Sequence, residues 1–300
     1  AVPETRTSEL KAKRAADATE RGAAKYRLVD EFPGGPIAES FRNLRASLSL
    51  LGRAADRKVF LFTSALPNEG KSFTSVNYSL ALAQQGHRVL LVDGDLRRPN
   101  IHKVFRNNNE RRGEHPGLVD YLIGAVELKN ASRLVAKVKR DPAAPAASRL
   151  SQVPPGELFI MAGGQRAPNP AELLSGECFE HLISEASSMF DRVVIDSAPI
   201  LAVSDTLLMA KHVQTICMVV RANKTPRNAV HRALMLLTTA GNRPAGLVLN
   251  RLPRRRGAGY YYYYASHGYG DGQGSYIGEY ARRAKLMSDV SSNGARNGAG

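Results

Sequence analysis

The stretch that most narrows the choice of fold runs from Val59 to Ser72. An apolar run, Val59–Phe62, leads into Thr63-Ser64-Ala65-Leu66-Pro67-Asn68-Glu69-Gly70-Lys71-Ser72, and helical spacing follows over 71–85. A strand, a loop ending in Gly-Lys-Ser and a helix together make a phosphate-binding unit. The reason is electrostatic: the first N–H groups of a helix lack intrahelical partners and lie at the positive end of its dipole, so an anion satisfies them. A lysine at position 71 reaches β- and γ-phosphates, and a hydroxyl at position 72 ligates Mg2+. The usual pattern, GxxxxGK[ST], opens on glycine, but Ala65 stands there. The loop is therefore a deviant one, and Gly-Lys-Ser alone is too short to carry the reading.

Two more strand ends add to it. Val89–Val92 runs into Asp93-Gly94-Asp95-Leu96-Arg97-Arg98-Pro99, and Val193–Ile195 into Asp196-Ser197-Ala198-Pro199. A carboxylate after a single strand is commonly a turn residue or a helix cap. Three polar strand ends in one chain point instead to a ligand at the carboxyl edge of an open α/β sheet. Mg2+ takes oxygen ligands and keeps several waters, so a hydroxyl, one or two carboxylates and phosphates suffice to hold it. A hydroxyl nucleophile with a pKa of about 10 needs a carboxylate within hydrogen-bond reach to take its proton. Asp93, Asp95 and Asp196 share these two roles, and the division between them stays open.

The rest of the chain supports an α/β domain. Further strands are expected at Leu158–Met161, Ile216–Val220 and Gly246–Leu249, and further helices near 117–123, 177–189, 203–211 and 227–239. Near-continuous apolar strands separated by helices predict a mostly parallel sheet covered on both faces, of P-loop NTPase type. Ahead of it, after Pro33-Gly34-Gly35-Pro36, the residues Ile37, Phe41, Leu44, Leu48 and Leu51 recur at helical spacing and form one apolar stripe. Three segments result: a polar extension over 1–35, the P-loop domain over 36–252, and a flexible tyrosine-rich tail over 253–300. An apolar share of 43% in 300 residues is ample for a buried core. No apolar run approaches the roughly 18 residues of a membrane helix, and the first thirty residues lack the apolar centre of a secretory leader. Cys178 and Cys217 stand alone, which excludes a disulfide scaffold and fits a reducing cytosol; both read as packed small side chains.

At these motifs the chain resembles the bacterial tyrosine kinases of capsule and exopolysaccharide systems, the cytoplasmic part of polysaccharide co-polymerases. Ala65–Ser72 is similar to their Walker A motif, Val89–Arg97 to Walker A′, and Val193–Asp196 to Walker B. Gly117-Leu118-Val119-Asp120-Tyr121-Leu122, Asn169-Pro170-Ala171-Glu172-Leu173-Leu174, and Arg98-Pro99 with His102 also match. The resemblance covers roughly residues 36–280. It implies Mg-ATP-dependent phosphorylation of tyrosines. Catalysis would rest on Lys71, Asp93, Asp95 and Asp196, with the metal on Ser72, Asp93 and Asp196. ATP contacts would come from Ser64, Ala65, Leu66, Pro67, Asn68, Glu69, Gly70, Lys71, Ser72, Phe73 and Arg97. Asn68 departs from the family's Pro-Gly-Glu-Gly-Lys, but asparagine tolerates positive φ better than most residues. Glu39-x-x-Arg42-x-x-Arg45 is by itself a solvated helix flank. It resembles the family's ExxRxxR oligomerisation motif, which implies a ring of subunits. The family also implies an inner-membrane activator, fused or separate, and a place at the cytoplasmic face of that membrane. A ParA/MinD-type ATPase without kinase activity shares the sheet and the deviant loop; those proteins carry a signature lysine where Leu66 stands here.

The tyrosines are unevenly placed. All but Tyr26, Tyr78 and Tyr121 lie within Tyr260, Tyr261, Tyr262, Tyr263, Tyr264, Tyr269, Tyr276 and Tyr280. Five consecutive phenols among glycines do not make a core strand. Beside Arg254–Arg256 they would suit base stacking in single-stranded nucleic acid. Behind three strand-end aspartates and a P-loop, they read as substrate: resemblance to the family's tyrosine cluster implies phosphorylation there, adding about −1.5 to −2 charges per site. The net charge of +15 is spread over the lead, 97–112, 133–140 and the tail rather than gathered in a recognised module, which argues against a nucleic-acid partner.

Overall fold

In the computed structural model, which describes residues 27–31, 33, 35–53, 56–105, 115–138 and 155–252, the apolar runs become one sheet. The chain passes through α1 (Leu28–Glu31), α2 (Pro36–Ser49), β1 (Val59–Ser64), α3 (Lys71–Ala83), β2 (Arg88–Asp93), α4 (Ile101–Val104), α5 (Leu118–Leu122), α6 (Leu128–Ala131) and β3 (Arg133–Val138). It continues through β4 (Gly156–Met161), α7 (Pro170–Ser175), α8 (Glu177–Met189), β5 (Arg192–Asp196), α9 (Asp205–Ala210), β6 (Thr215–Arg221), α10 (Arg227–Thr239) and β7 (Gly246–Asn250). The seven strands lie in the order β3-β4-β2-β5-β1-β6-β7. Every pairing is parallel except β3 with β4. The chain divides into two units after Leu252, and the tyrosine cluster lies outside the described residues.

Strand alternation sends side chains to two cores. Val59, Leu61, Leu90 and Val92 enter one, with Leu118, Leu174, Phe179, Leu182, Ala233 and Leu237 from the helices of that side. Phe60, Phe62, Val89 and Leu91 enter the other, with Phe41 of α2 and Val76, Tyr78 and Leu80 of α3. Tyr78 is wedged against both Phe60 and Phe62, with ring centroids 5.4 and 5.2 Å apart. The expected sheet with helices on both faces is thus present. The packed unit also reaches further toward the amino end than the stripe beginning at Ile37. Leu28 and Val29 are buried, the Val29 N–H donates to Asn77 Oδ1, and its carbonyl accepts from Gln84 Nε2.

β3 and one of the cysteines also depart from the sequence expectations. β3 was not expected, because Arg133 and Lys137 interrupt its apolar pattern; it is an antiparallel edge strand with a bulge between Leu134 and Ala136. Charge and a bulge at an edge discourage pairing with other chains. The second correction concerns the cysteines. Cys217 is buried in β6 and its thiol is pushed up to about 12 by burial, whereas Cys178 is exposed in the first turn of α8.

Candidate active site

The loop between β1 and α3 is shaped from within. Asn68 takes φ 63° and Gly70 φ 99°, left-handed conformations that turn the chain sharply into α3. Asparagine at position 68 thus does what the sequence requires of it. The Glu69 carboxylate, almost fully buried, accepts the Leu66 N–H at 2.9 Å and a hydrogen bond from the Thr225 hydroxyl. The Ser64 hydroxyl donates to the Leu66 carbonyl at 2.7 Å. Leu66, expected among the ATP contacts, therefore has its N–H turned to Glu69. Lys71 is buried at the first position of α3. Phe73 packs edge-on to Phe41, linking α3 to α2.

The parallel register brings the carboxylates together. Asp93 ends β2 and Asp196 ends β5, and the two are opposite one another in the pairing. The Gly94 N–H donates to the Asp196 carbonyl at 2.7 Å, which draws the chain after β2 over the end of β5. Asp93 Oδ2 accepts the N–H groups of Asn100 and Ile101, both at 2.9 Å. Asp95 Oδ1 accepts the Arg98 N–H at 3.0 Å. Asp93 is held well above the usual carboxylate range, first by burial and then by the charge of Asp196. Burial pushes Asp196 up to about 6, against the opposing effects of Lys71 and the Ser72 and Ser75 hydroxyls. Among the described residues, Oδ1 of Asp93 and Oδ1 of Asp196 are buried with no hydrogen-bond donor.

These two orphan oxygens, with the Ser72 hydroxyl, are a hard-oxygen set of the kind Mg2+ takes when phosphates complete its shell. No group of three or more His, Cys, Asp and Glu able to hold a metal unaided occurs among the described residues. The residues present fit Mg2+.

Other residues of the expected sets have partners of their own in the fold. Arg97 makes two parallel hydrogen bonds to the fully buried Asp205 at the start of α9, at 2.8 and 3.0 Å. Arg42 pairs with Glu39 at 2.7 Å and donates to the Pro33 carbonyl. Arg45 turns inward and donates at 2.6 Å to the Ala81 carbonyl in the last turn of α3, where a cation offsets the negative end of a helix. Sequence reasoning missed Asp205, Thr225 and Asn250. Asn250 had one available signal: like Asp93 and Asp196, it is a polar residue closing an apolar strand.

A mostly parallel sheet with a phosphate loop after β1 and aspartates at the ends of β2 and β5 defines a class of nucleotide-binding domain. The model of the CobQ/CobB/MinD/ParA nucleotide binding domain family matches residues 61–267, and the chain belongs to that family. Within it the chain is a member of the bacterial tyrosine-protein kinases. It is 30% identical over 226 residues to the tyrosine-protein kinase YwqD of Bacillus subtilis (strain 168), covering 75% of this chain and 86% of that one. It is 33% identical over 227 residues to the tyrosine-protein kinase wzc of Salmonella typhimurium, spanning 74% of this chain and only 28% of that longer protein. Among solved structures, the kinase domain of Escherichia coli tyrosine kinase ETK superposes with a TM-score of 0.70 at 26% identity, covering 91% of this chain and 93% of that one. The BceF tyrosine kinase domain gives 0.66 at 28% identity, covering 84% and 92%.

Proposed function

We propose that the protein is an ATP-dependent tyrosine autokinase that phosphorylates its own carboxyl-terminal cluster, Tyr260–Tyr264 with Tyr269, Tyr276 and Tyr280, between subunits. The observation that carries this reading is the pair of buried, partly orphaned carboxylates set in register beside Lys71 and Ser72. Loop N–H groups and Lys71 would hold the β- and γ-phosphates of ATP. Ser72, Asp93 and Asp196 would hold Mg2+, which would supply positive charge to offset that developing on the phosphates. The phenolic oxygen of a tyrosine attacks the γ-phosphorus, the bond to the β-phosphate oxygen breaks, and ADP leaves. The phenolic proton passes to a carboxylate. Asp95, at 9% exposure against 0% for Asp93 and 1% for Asp196, is the one a phenol reaches most easily.

Work on a neighbour's tail requires a homo-oligomer, for which we propose a ring through α2 with Glu39, Arg42 and Arg45. In such an assembly Arg42 and Arg45 would exchange part of their internal bonding for contacts with the next subunit. Several phosphates per tail would reverse its local charge and loosen the ring, a cycle through which polysaccharide polymerisation and export would be regulated. No helix among the described residues is long and apolar enough to cross a membrane. As a separate point, we propose an inner-membrane activator, separate or fused, that would hold the domain at the cytoplasmic face.

The deciding experiment incubates the full chain with Mg-ATP and maps phosphate by mass spectrometry, with Lys71→Met as control. Phosphotyrosine in the 260–280 region, lost in the control, is the expected result. ATP hydrolysis with an unmodified tail would establish the ParA/MinD-type ATPase instead. Changing all eight cluster tyrosines to phenylalanine should lock the assembly state against cycling.

A further inference from the structure

We propose that Asn250 is a positioning residue for the phosphate loop: its amide fixes the Glu69–Gly70 peptide so that the Gly70 N–H faces the phosphate. Asn250 is the last residue of β7, 2% exposed and 181 positions from Glu69 in sequence. Its Nδ2 donates to the Glu69 carbonyl at 2.8 Å, and its Oδ1 accepts the Arg251 N–H at 2.8 Å. One end meets an acceptor and the other a donor, so the orientation of the amide is fixed by its surroundings.

The consequence follows from peptide geometry. The 69–70 bond is trans, and a trans peptide directs its N–H opposite to its C=O. With the Glu69 carbonyl held toward β7, the Gly70 N–H is directed away from β7, to the side where the loop meets the first turn of α3. Gly70 and Asn250 are matched in space as well. A Cβ at position 70 would lie 1.9 Å from Asn250 Nδ2, so the amide fills the volume glycine leaves. Glu69 completes the hold, its carboxylate joining Leu66 within the loop to Thr225 beyond β6. The loop is thus gripped through one residue by the segments after β6 and at the end of β7. The bonds that make this hold all run between protein groups of the loop, β7 and the segment after β6, so its effect is expected to be the same for different bases.

This inference rests on the reading of the loop as a nucleotide phosphate site, and the test separates the two. Binding of Mg-ADP, Mg-GDP and AMP to the full chain is measured by competition against a fluorescent ADP, for wild type, Asn250→Ala and Asn250→Asp. Aspartate keeps the size and the acceptor for Arg251 but cannot donate to the Glu69 carbonyl. Both variants should lose Mg-ADP and Mg-GDP affinity by the same factor, about 10- to 100-fold, as expected for one lost hydrogen bond to a charged group. AMP affinity should change less than about threefold, so the ADP-to-AMP ratio collapses; a residue that merely held the fold would not move that ratio. Asn250→Ser, which retains a short donor, should recover part of the ratio and supplies the answer if the alanine variant does not fold. Equal losses for ADP and AMP, or none, would overturn the positioning role. A wild-type chain that binds neither Mg-ADP nor the fluorescent nucleotide would overturn the nucleotide reading itself.

Discussion

Asp93 and Asp196 stand opposite one another at the ends of adjacent parallel strands, both buried, each with one oxygen that meets no donor among the described residues. Two carboxylates arranged like this cost stability until cations answer them. Asp93→Asn keeps an acceptor for the Asn100 and Ile101 N–H groups and removes one charge. Urea denaturation of the nucleotide-free protein should show it more stable than wild type by about 1–3 kcal/mol. Tail phosphorylation by the same variant should be lost.

Arg97 and Asp205 illustrate the converse case, a buried carboxylate already answered. Asp205 is fully buried while the Arg97 side chain is 43% exposed, so solvent screens part of the attraction. Arg97→Ala should destabilise the fold by about 1–3 kcal/mol, because it strands the carboxylate. Arg97→Lys should recover only part of this, since an ammonium cannot reproduce two parallel bonds. The double variant Arg97→Ala/Asp205→Asn should unfold at a higher urea concentration than Arg97→Ala alone.

Gly117 opens the Gly-Leu-Val-Asp-Tyr-Leu segment where α5 meets the end of β4. A Cβ there would lie 2.2 Å from the Ala162 carbonyl and 2.6 Å from the Gly164 nitrogen, both backbone atoms with little freedom to move. Gly117→Ala should cost about 3 kcal/mol in chemical denaturation. Gly124→Ala has open space and only a left-handed φ of 75° to overcome. It should cost about 1 kcal/mol.

His87, just before β2, is held below its ordinary pKa of 6.5 chiefly by burial and then by Arg192, against the opposing charge of Asp191. The unfolded chain therefore takes up this proton at higher pH than the folded one, so stability rises with pH across the interval between the two values. The contribution is complete above 6.5 and is lost as pH falls below it. The stability difference between wild type and His87→Gln should thus shift against wild type between pH 7 and pH 5, measured by urea denaturation at each pH. A difference independent of pH would show that the imidazole titrates alike in both states.

Sequence and fold divide the labour along a clear line. The strand, loop and helix over 59–83 and the strand-end positions of Asp93 and Asp196 were legible because their signals are local: an apolar strand, a breaker and a charged residue within a dozen positions. The layered parallel sheet was legible for the same reason, since strands buried on both faces carry unbroken apolar runs. β3 was not, because an edge strand tolerates the arginine and lysine that hide it. Cys178 was misread because nothing in its neighbourhood tells a packed thiol from an exposed one.

Periodicity and turn residues, which act over a few positions, thus placed most of the strands and longer helices and the polar residues at their ends. Which of these residues face or hydrogen-bond one another was settled by the tertiary fold. The register of β2 against β5 sets Asp93 beside Asp196, α9 brings Asp205 to Arg97, and the end of β7 brings Asn250 to the Glu69 carbonyl. Hydrogen bonds and charges act over a few ångströms of space, and a parallel sheet brings within that range residues that the chain holds more than a hundred positions apart.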